Sequence, residues 1–234
     1  MSESDHPYEG YHTTRGLNEY CLLLGFVPES GLRILDVGAS AGTFAKEMAE
    51  CFGDSVVVDS LDLFGGEDVR EGRITFTGSD GQSVEYYPHR RIVGDITQRQ
   101  LGLPPEAYDL IVSLYAIPTW SNGFEPTINA LVTMAKALKI GGEIRLFPVW
   151  INNSGHLSGF GSPDNFLQVK KVFERHGYRV SLEEVVDGKG AVIEKEARRL
   201  VIQKNLSSVP DREELLKMPL FKRLTDLLRR RIIG

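Results

Sequence analysis

The chain has 234 residues, of which 41% are apolar and 25% charged, a balance that suits one globular domain with a sizeable core and room for a small appendage. A net charge of −5 and a pI of about 5.6 argue against nucleic-acid binding through overall charge, because phosphate neutralisation needs clustered Lys and Arg. No apolar run reaches the roughly 18–20 residues that span a bilayer, the opening "MSESDHPYEG" is too polar for a signal peptide, and Cys21 and Cys51 lack any metal-ligand or redox spacing, so the expectation is a cytoplasmic protein with reduced, buried thiols and no bound metal.

In chain order, "LRILDVG" (32–38) is a short apolar run ended by glycine, the pattern of a buried strand. "TFAKEMAECF" (43–52) repeats Phe44, Met48 and Phe52 at every fourth residue and predicts an amphipathic helix. "SVVVDSLDL" (55–63) predicts a second strand. Residues 64–94 break the alternation: "ITFTGSDGQSVEYYP" (74–88) reads as two β segments around Asp80 and Gly81, a surface excursion rather than a substrate flap. "YDLIVSLYAI" (108–117) predicts a strand. A helix is expected over 125–142, with Ile128, Leu131, Val132, Ala135 and Leu138 on one face, Pro126 in its first turn and Gly141 at its end. "GEIRLFPVW" (142–150) predicts a strand, 163–178 a helix closing at Gly177, and "YRVSLEEVV" and "RRLVIQK" two final strands. In the tail, Pro219 separates two short helical patterns, the second carrying Leu220, Phe221, Leu224, Leu227 and Leu228 ahead of Arg229, Arg230 and Arg231. Such a helix usually packs its apolar side on its own domain; contact with a membrane surface, a partner or a second copy in a homodimer is the alternative.

Strands alternating with helices imply an α/β fold with a mostly parallel sheet, whose ligands bind at the carboxyl ends of the strands near the switch in strand order. "ILDVGASAGTF" (34–44) falls at such a place, a strand end followed by a helix start. From Gly38 to Gly42 almost nothing has a side chain to pack, which brings a ligand close to the backbone. A P-loop needs a Lys that is missing here. The Gly38–Gly42 spacing also fits a dinucleotide fingerprint poorly, and Asp36 would repel a pyrophosphate. An acid at that point suits a cationic ligand.

The stretch resembles motif I of the Rossmann-like (class I) S-adenosylmethionine-dependent methyltransferases, acid-x-Gly-x-Gly-x-Gly, with Ser40 in place of the middle glycine. The resemblance runs in motif order over residues 31–204. "YDLIVSLYAIP" is similar to the family's fourth strand and "AKALKIGGEIRLF" to its helix-turn-strand. It implies a three-layer α/β/α sandwich around a seven-stranded, mostly parallel sheet whose last strand is antiparallel. It also implies S-adenosyl-L-methionine as cofactor. An acid ending the second strand, there to take the ribose hydroxyls, is Asp62, 20 residues beyond Gly42, with Asp59 as the other candidate. An acid near the adenine amino group is Asp95, with Ile96 beside it to pack on the base. The cofactor site so implied comprises Arg15, Asp36, Gly38, Ala39, Ser40, Gly42, Asp62, Leu63, Asp95, Ile96 and Ser113. Taken singly, Asp62 and Asp95 also read as caps of a helix or turn.

The implied organisation is an N-terminal helical lid (1–30), a cofactor-binding methyltransferase domain (31–204) and an amphipathic helical tail (205–234). The implied reaction is an in-line methyl displacement, in which alignment and exclusion of water are the main work. A base is needed only if the acceptor must lose a proton. Candidates are His156, in the loop after the fifth strand, and Tyr115, just past strand four; His12 and His89 are weaker. Tyr8, Tyr11, Tyr115 and Trp120 are candidate walls of an acceptor pocket, or plain packing residues. The segment after strand four lacks the Pro-Pro pair that amino methyltransferases of DNA and of protein glutamine share. It also lacks the Asp expected of the heat-shock-type ribose methyltransferases and the paired acids of polyamine synthases. A small-molecule methyl acceptor, through oxygen, nitrogen or carbon, is the reading that remains, with a catalytically inactive, cofactor-binding partner subunit as the alternative.

Overall fold

The computed structural model describes residues 16–39, 42–63, 69–70, 73–77, 83–86, 90–98, 101–153, 155–187 and 189–216. Seven strands form the main sheet: β1 (Arg33–Val37), β2 (Val57–Asp62), β6 (Arg91–Val93), β7 (Tyr108–Leu114), β8 (Leu138–Trp150), β9 (Tyr178–Glu183) and β10 (Ala197–Lys204). Their order is β6-β2-β1-β7-β8-β10-β9. Neighbours are parallel except for β10, which runs antiparallel to both β8 and β9. The chain thus winds outward from β1 in one direction through β2 and β6, then returns to place β7 on β1's other side. This is the Rossmann-like arrangement that the motif order implied, including the antiparallel last strand.

Alternation along the strands sorts the core into two layers. Ile34, Val58, Val112, Leu114 and Phe147 bury one face against helices α1 (Leu17–Leu24) and α2 (Thr43–Phe52). Leu35, Val37, Ile111, Ile144 and Leu200 bury the other against α3 (Phe124–Ala137) and α4 (Pro163–Arg175). α1 contributes Tyr20, Leu23 and Leu24 to the first layer. A short α5 (Arg212–Leu216) packs on α3 and α4 through the fully buried Leu215. Among the described residues no helix is long and apolar enough to cross a membrane.

Most elements fall where the hydrophobic pattern puts them, and α2 matches residue for residue. Three differ. The helix expected to reach Gly141 stops at Ala137, and β8 begins at Leu138, paired with Tyr108. Leu138 is fully buried, and the Lys139 ammonium binds both Asp109 carboxylate oxygens at 2.8 Å, which holds this segment along β7. Gly141 and Gly142 serve the register shift inside β8: a side chain on Gly142 would lie 2.7 Å from the Asp109 carbonyl. α4 ends at Arg175, two residues before Gly177. Cys51, expected to be buried, is exposed on α2. The stretch 64–94, expected to be a surface excursion, ends in β6 of the main sheet, paired with β2, and contains a separate antiparallel sheet, β3 (Val69–Arg70), β4 (Arg73–Thr77) and β5 (Ser83–Tyr86). Thr77 pairs with Ser83, so the expected hairpin forms, while Asp80 and Gly81 lie outside the described residues.

Asp59, the alternative second-strand acid, is committed to the fold. It is 1% exposed, and its Oδ2 accepts from the Tyr108 hydroxyl at 2.8 Å and the Arg33 guanidinium at 3.0 Å. That pairing raises the Arg33 pKa, and burial beside Asp59 raises that of Tyr108. Tyr108→Phe removes a donor from a buried carboxylate and is expected to cost about 1–3 kcal/mol, read as a lower urea midpoint with an unchanged slope.

Candidate active site

β1 ends in the middle of the sheet, at the point where strand order reverses. Just past its end the backbone turns at Gly38 (φ +78°). The Gly38 and Ala39 amides both donate to the Leu61 carbonyl on β2, at 2.7 and 3.2 Å. A Cβ on Gly38 would lie 2.2 Å from the Cβ of Ala116, the residue two beyond β7. Glycine is therefore demanded here twice, by the left-handed conformation and by the close approach of the β7 exit. Gly42 (φ +75°) donates to the Ala39 carbonyl at 2.8 Å and caps α2. Arg15, Ser40, Tyr8, Tyr11, His12 and His89 lie outside the described residues.

Asp36 is fully buried at the end of β1. Both of its carboxylate oxygens receive the Tyr20 hydroxyl of α1, at 3.0 and 3.2 Å. Burial pushes its pKa up from 3.8 to about 7; the Tyr20 hydrogen bond works against this, and the nearby Asp62 charge adds to it. Ser60 pairs with Asp36 in the β1–β2 register, and its buried Oγ has no hydrogen-bond partner among the described residues. An orphan hydroxyl beside an acid whose charge is unsupported fits a cationic ligand with hydrogen-bonding groups. Asp62 and the exposed Leu63 end β2 on the same edge of the sheet.

The other candidates divide. Asp95 follows β6, and its carboxylate accepts from the Thr97 amide (2.8 Å), the Thr97 hydroxyl (2.6 Å) and Gln98 (3.1 Å). Burial opposes its ionisation, but these hydrogen bonds win and hold its pKa below the usual range. It thus caps its own turn, and Ile96 beside it is buried in the core. Ser113 is fully buried; its hydroxyl donates to the Val37 carbonyl and accepts from the Ile117 amide, both at 2.9 Å, so it ties the β7 exit to the β1 exit. Tyr115 has φ +61°, a conformation that is uncommon outside glycine. Its hydroxyl donates to Glu194 at 2.7 Å, and its ring meets Phe147 edge-on. Tyr115 immediately precedes Ala116, the residue that closes on Gly38. His156 does not join this group through any described bond. It is exposed, in a loop closed by an Ile151–Leu157 bridge, and its amide donates to Asn152 at 2.8 Å. Trp120 is 45% exposed.

Sequence reasoning missed Tyr20, Ser60 and Glu194. Nothing in "LNEYCLLL" distinguishes Tyr20 from a packing aromatic, and Glu194 lies 79 residues from the tyrosine that it meets. A separate cavity of about 330 Å³, lined by Glu106, Lys136, Lys204 and Ser207 among others, lies away from these residues. The buried Lys204 ammonium there is satisfied by Glu106 and the carbonyls of Ala135 and Leu138.

No protein-family model matches the chain, and no curated protein sequence matches it. Solved structures similar to it in fold include a SAM-dependent methyltransferase from Methanosarcina mazei, with 11% identity and a TM-score of 0.49 over 76% of this chain and 95% of that one. Another from Mesorhizobium loti has 18% identity and a TM-score of 0.48, over 80% and 97%. A TehB-like SAM-dependent methyltransferase from Corynebacterium glutamicum has 20% identity and a TM-score of 0.45, over 78% and 85%. At such identities the likeness is one of fold.

The raised Asp36 pKa sets a pH dependence. Between 3.8 and about 7 the folded chain binds a proton that the unfolded chain releases, so this contribution to stability is complete at low pH and is lost as pH rises through 7. The loss is on the order of 4 kcal/mol. Asp36→Asn is expected to match the parent near pH 4 and to exceed it at pH 8, measured by urea unfolding at the two pH values.

Proposed function

We propose that this chain is an S-adenosylmethionine-dependent methyltransferase acting on a small-molecule acceptor in the cytoplasm. The observation that carries the reading is the carboxyl edge at the β1–β7 switch point. There a glycine turn too tight for a side chain sits beside a buried acid, an orphan hydroxyl and a strand-end carboxylate, Asp62. The bonds of Asp59 to Arg33 and Tyr108 support Asp62, rather than Asp59, as the second-strand acid that takes the ribose.

In this reading Gly38, Ala39, Ser40 and Gly42 let the ligand's amino-acid part lie against the backbone. Arg15 pairs with its carboxylate, and Asp36 with its positive charge. Asp62 takes the two ribose hydroxyls, with Leu63 alongside, and Asp95 and Ile96 flank the adenine. Ser113 holds the β7 exit in register with this turn. The cofactor supplies an electrophilic methyl group on sulfur. The chain's own task is to align the acceptor and keep water out, which falls to Tyr115 and the β8 loop that carries His156. Residues 31–204 form the cofactor-binding unit, to which α1 and α5 add core contacts; the lid role falls to the part of 1–30 before α1 and the contact with a partner or a second copy to the tail beyond Leu216, both outside the described residues.

Calorimetric titration tests this. S-adenosylmethionine and S-adenosylhomocysteine are expected to bind with micromolar affinity, about −8 kcal/mol. Asp62→Ala should weaken both at least tenfold, about 1.4 kcal/mol, without changing the melting temperature. Absence of binding by the parent protein would sink the reading.

A further inference from the structure

Glu194 lies in the connection between β9 and β10. Because β9 runs parallel to β8, this connection leaves the sheet at the same carboxyl edge as the ends of β1 and β7. One carboxylate oxygen, Oε1, receives the Tyr115 hydroxyl at 2.7 Å. The other, Oε2, is buried and has no hydrogen-bond partner among the described residues. No Lys, Arg or His among the described residues forms an ion pair with Glu194. A carboxylate oxygen withdrawn from water without a donor is expensive, so the fold retains it at a cost that a ligand can relieve.

Two features place that ligand at the methyl acceptor's position. The backbone of Tyr115 is held at φ +61° immediately beside Ala116, which closes on the Gly38 turn. Its ring is pinned edge-on by Phe147, so its hydroxyl fixes Glu194 relative to the site. We propose that Glu194 is the acceptor-recognition residue and that the acceptor is an amine. Oε2 receives an N–H of the amine while Oε1 stays with Tyr115. This rests on the methyltransferase reading and deepens it. An alcohol would return only the hydrogen bond. A protonated amine returns the hydrogen bond and the charge balance on binding, favoured further by the adjacent Tyr115 ring. It then gives one N–H proton to Glu194 Oε2, which frees its lone pair to take the methyl group. The electrons of the broken carbon–sulfur bond stay on the departing thioether, and Glu194 keeps the proton. A carboxylate acceptor would be repelled.

The test uses the full chain saturated with S-adenosylhomocysteine, titrated calorimetrically with n-butylamine, n-butanol and butyrate, three probes of similar size. Butylamine is expected to bind at least tenfold more tightly than the other two. Glu194→Gln should lose that preference while keeping its S-adenosylhomocysteine affinity. Should Glu194→Gln melt early, Glu194→Asp carries the same expectation, because it retracts the carboxylate by one methylene. The proposal is overturned if butanol or butyrate binds as well as butylamine. Failure of butylamine to bind at millimolar concentration, or an unchanged preference in Glu194→Gln, also overturns it. If the parent protein fails to bind S-adenosylhomocysteine, the methyltransferase reading itself has failed, and this inference falls with it.

Discussion

The contact between Gly38 and Ala116 is the constraint around which the rest of the structure is arranged. β1 and β7 are parallel neighbours, and their exits meet so closely that a single added carbon would collide at 2.2 Å. Ser113 fastens the same junction with two hydrogen bonds of 2.9 Å, one to each exit. A parallel sheet whose strand order reverses at β1 opens a crevice at that point, because the connecting helices leave in opposite directions. Several described candidates lie near this crevice. Asp36 and Ser60 lie below the turn, Asp62 to one side, and Tyr115 with Glu194 to the other.

Holding this junction has an energetic cost. Among the described residues only the Tyr20 hydroxyl supports the buried Asp36, and burial holds its proton to about pH 7. Ser60 keeps an unsatisfied hydroxyl beside it. Elsewhere in the same sheet two buried charged groups are well supported, although the Arg33 Nε at the start of β1 also lacks a partner among the described residues. Asp59 has Tyr108 and Arg33, and Lys204 has a carboxylate and two carbonyls. Asp36 and Ser60 thus bring a proton-retaining acid and an orphan hydroxyl together at the carboxyl edge of the sheet.

The two catalytic candidates illustrate how the tertiary structure sorts residues that look alike in sequence. Tyr115 and His156 both follow strands that end on this edge. Tyr115 is fixed by a strained backbone, an edge-on ring and a carboxylate. His156 sits at an exposed loop held mainly by its own backbone bonds to Asn152. Asp59 and Asp62 sort in the same way: the first turns inward to Tyr108, and the second ends the strand.

The family resemblance implied the antiparallel last strand; the sequence by itself determined the order and type of most elements and the glycine turn. These are local, set by apolar periodicity and by the conformations that glycine permits. The end of α3 was not legible. "KIGG" reads as a helix stop, and only pairing of Leu138 with Tyr108 makes it the start of a strand with a register shift. The hydrogen bonds of Tyr20 to Asp36, Tyr108 to Asp59 and Tyr115 to Glu194 were equally hidden, since they join residues 16, 49 and 79 apart. Their formation depends on which strands lie side by side and which face each side chain takes. Only the tertiary structure decided those, because burial of both sheet faces selects the register and the register sets the partners.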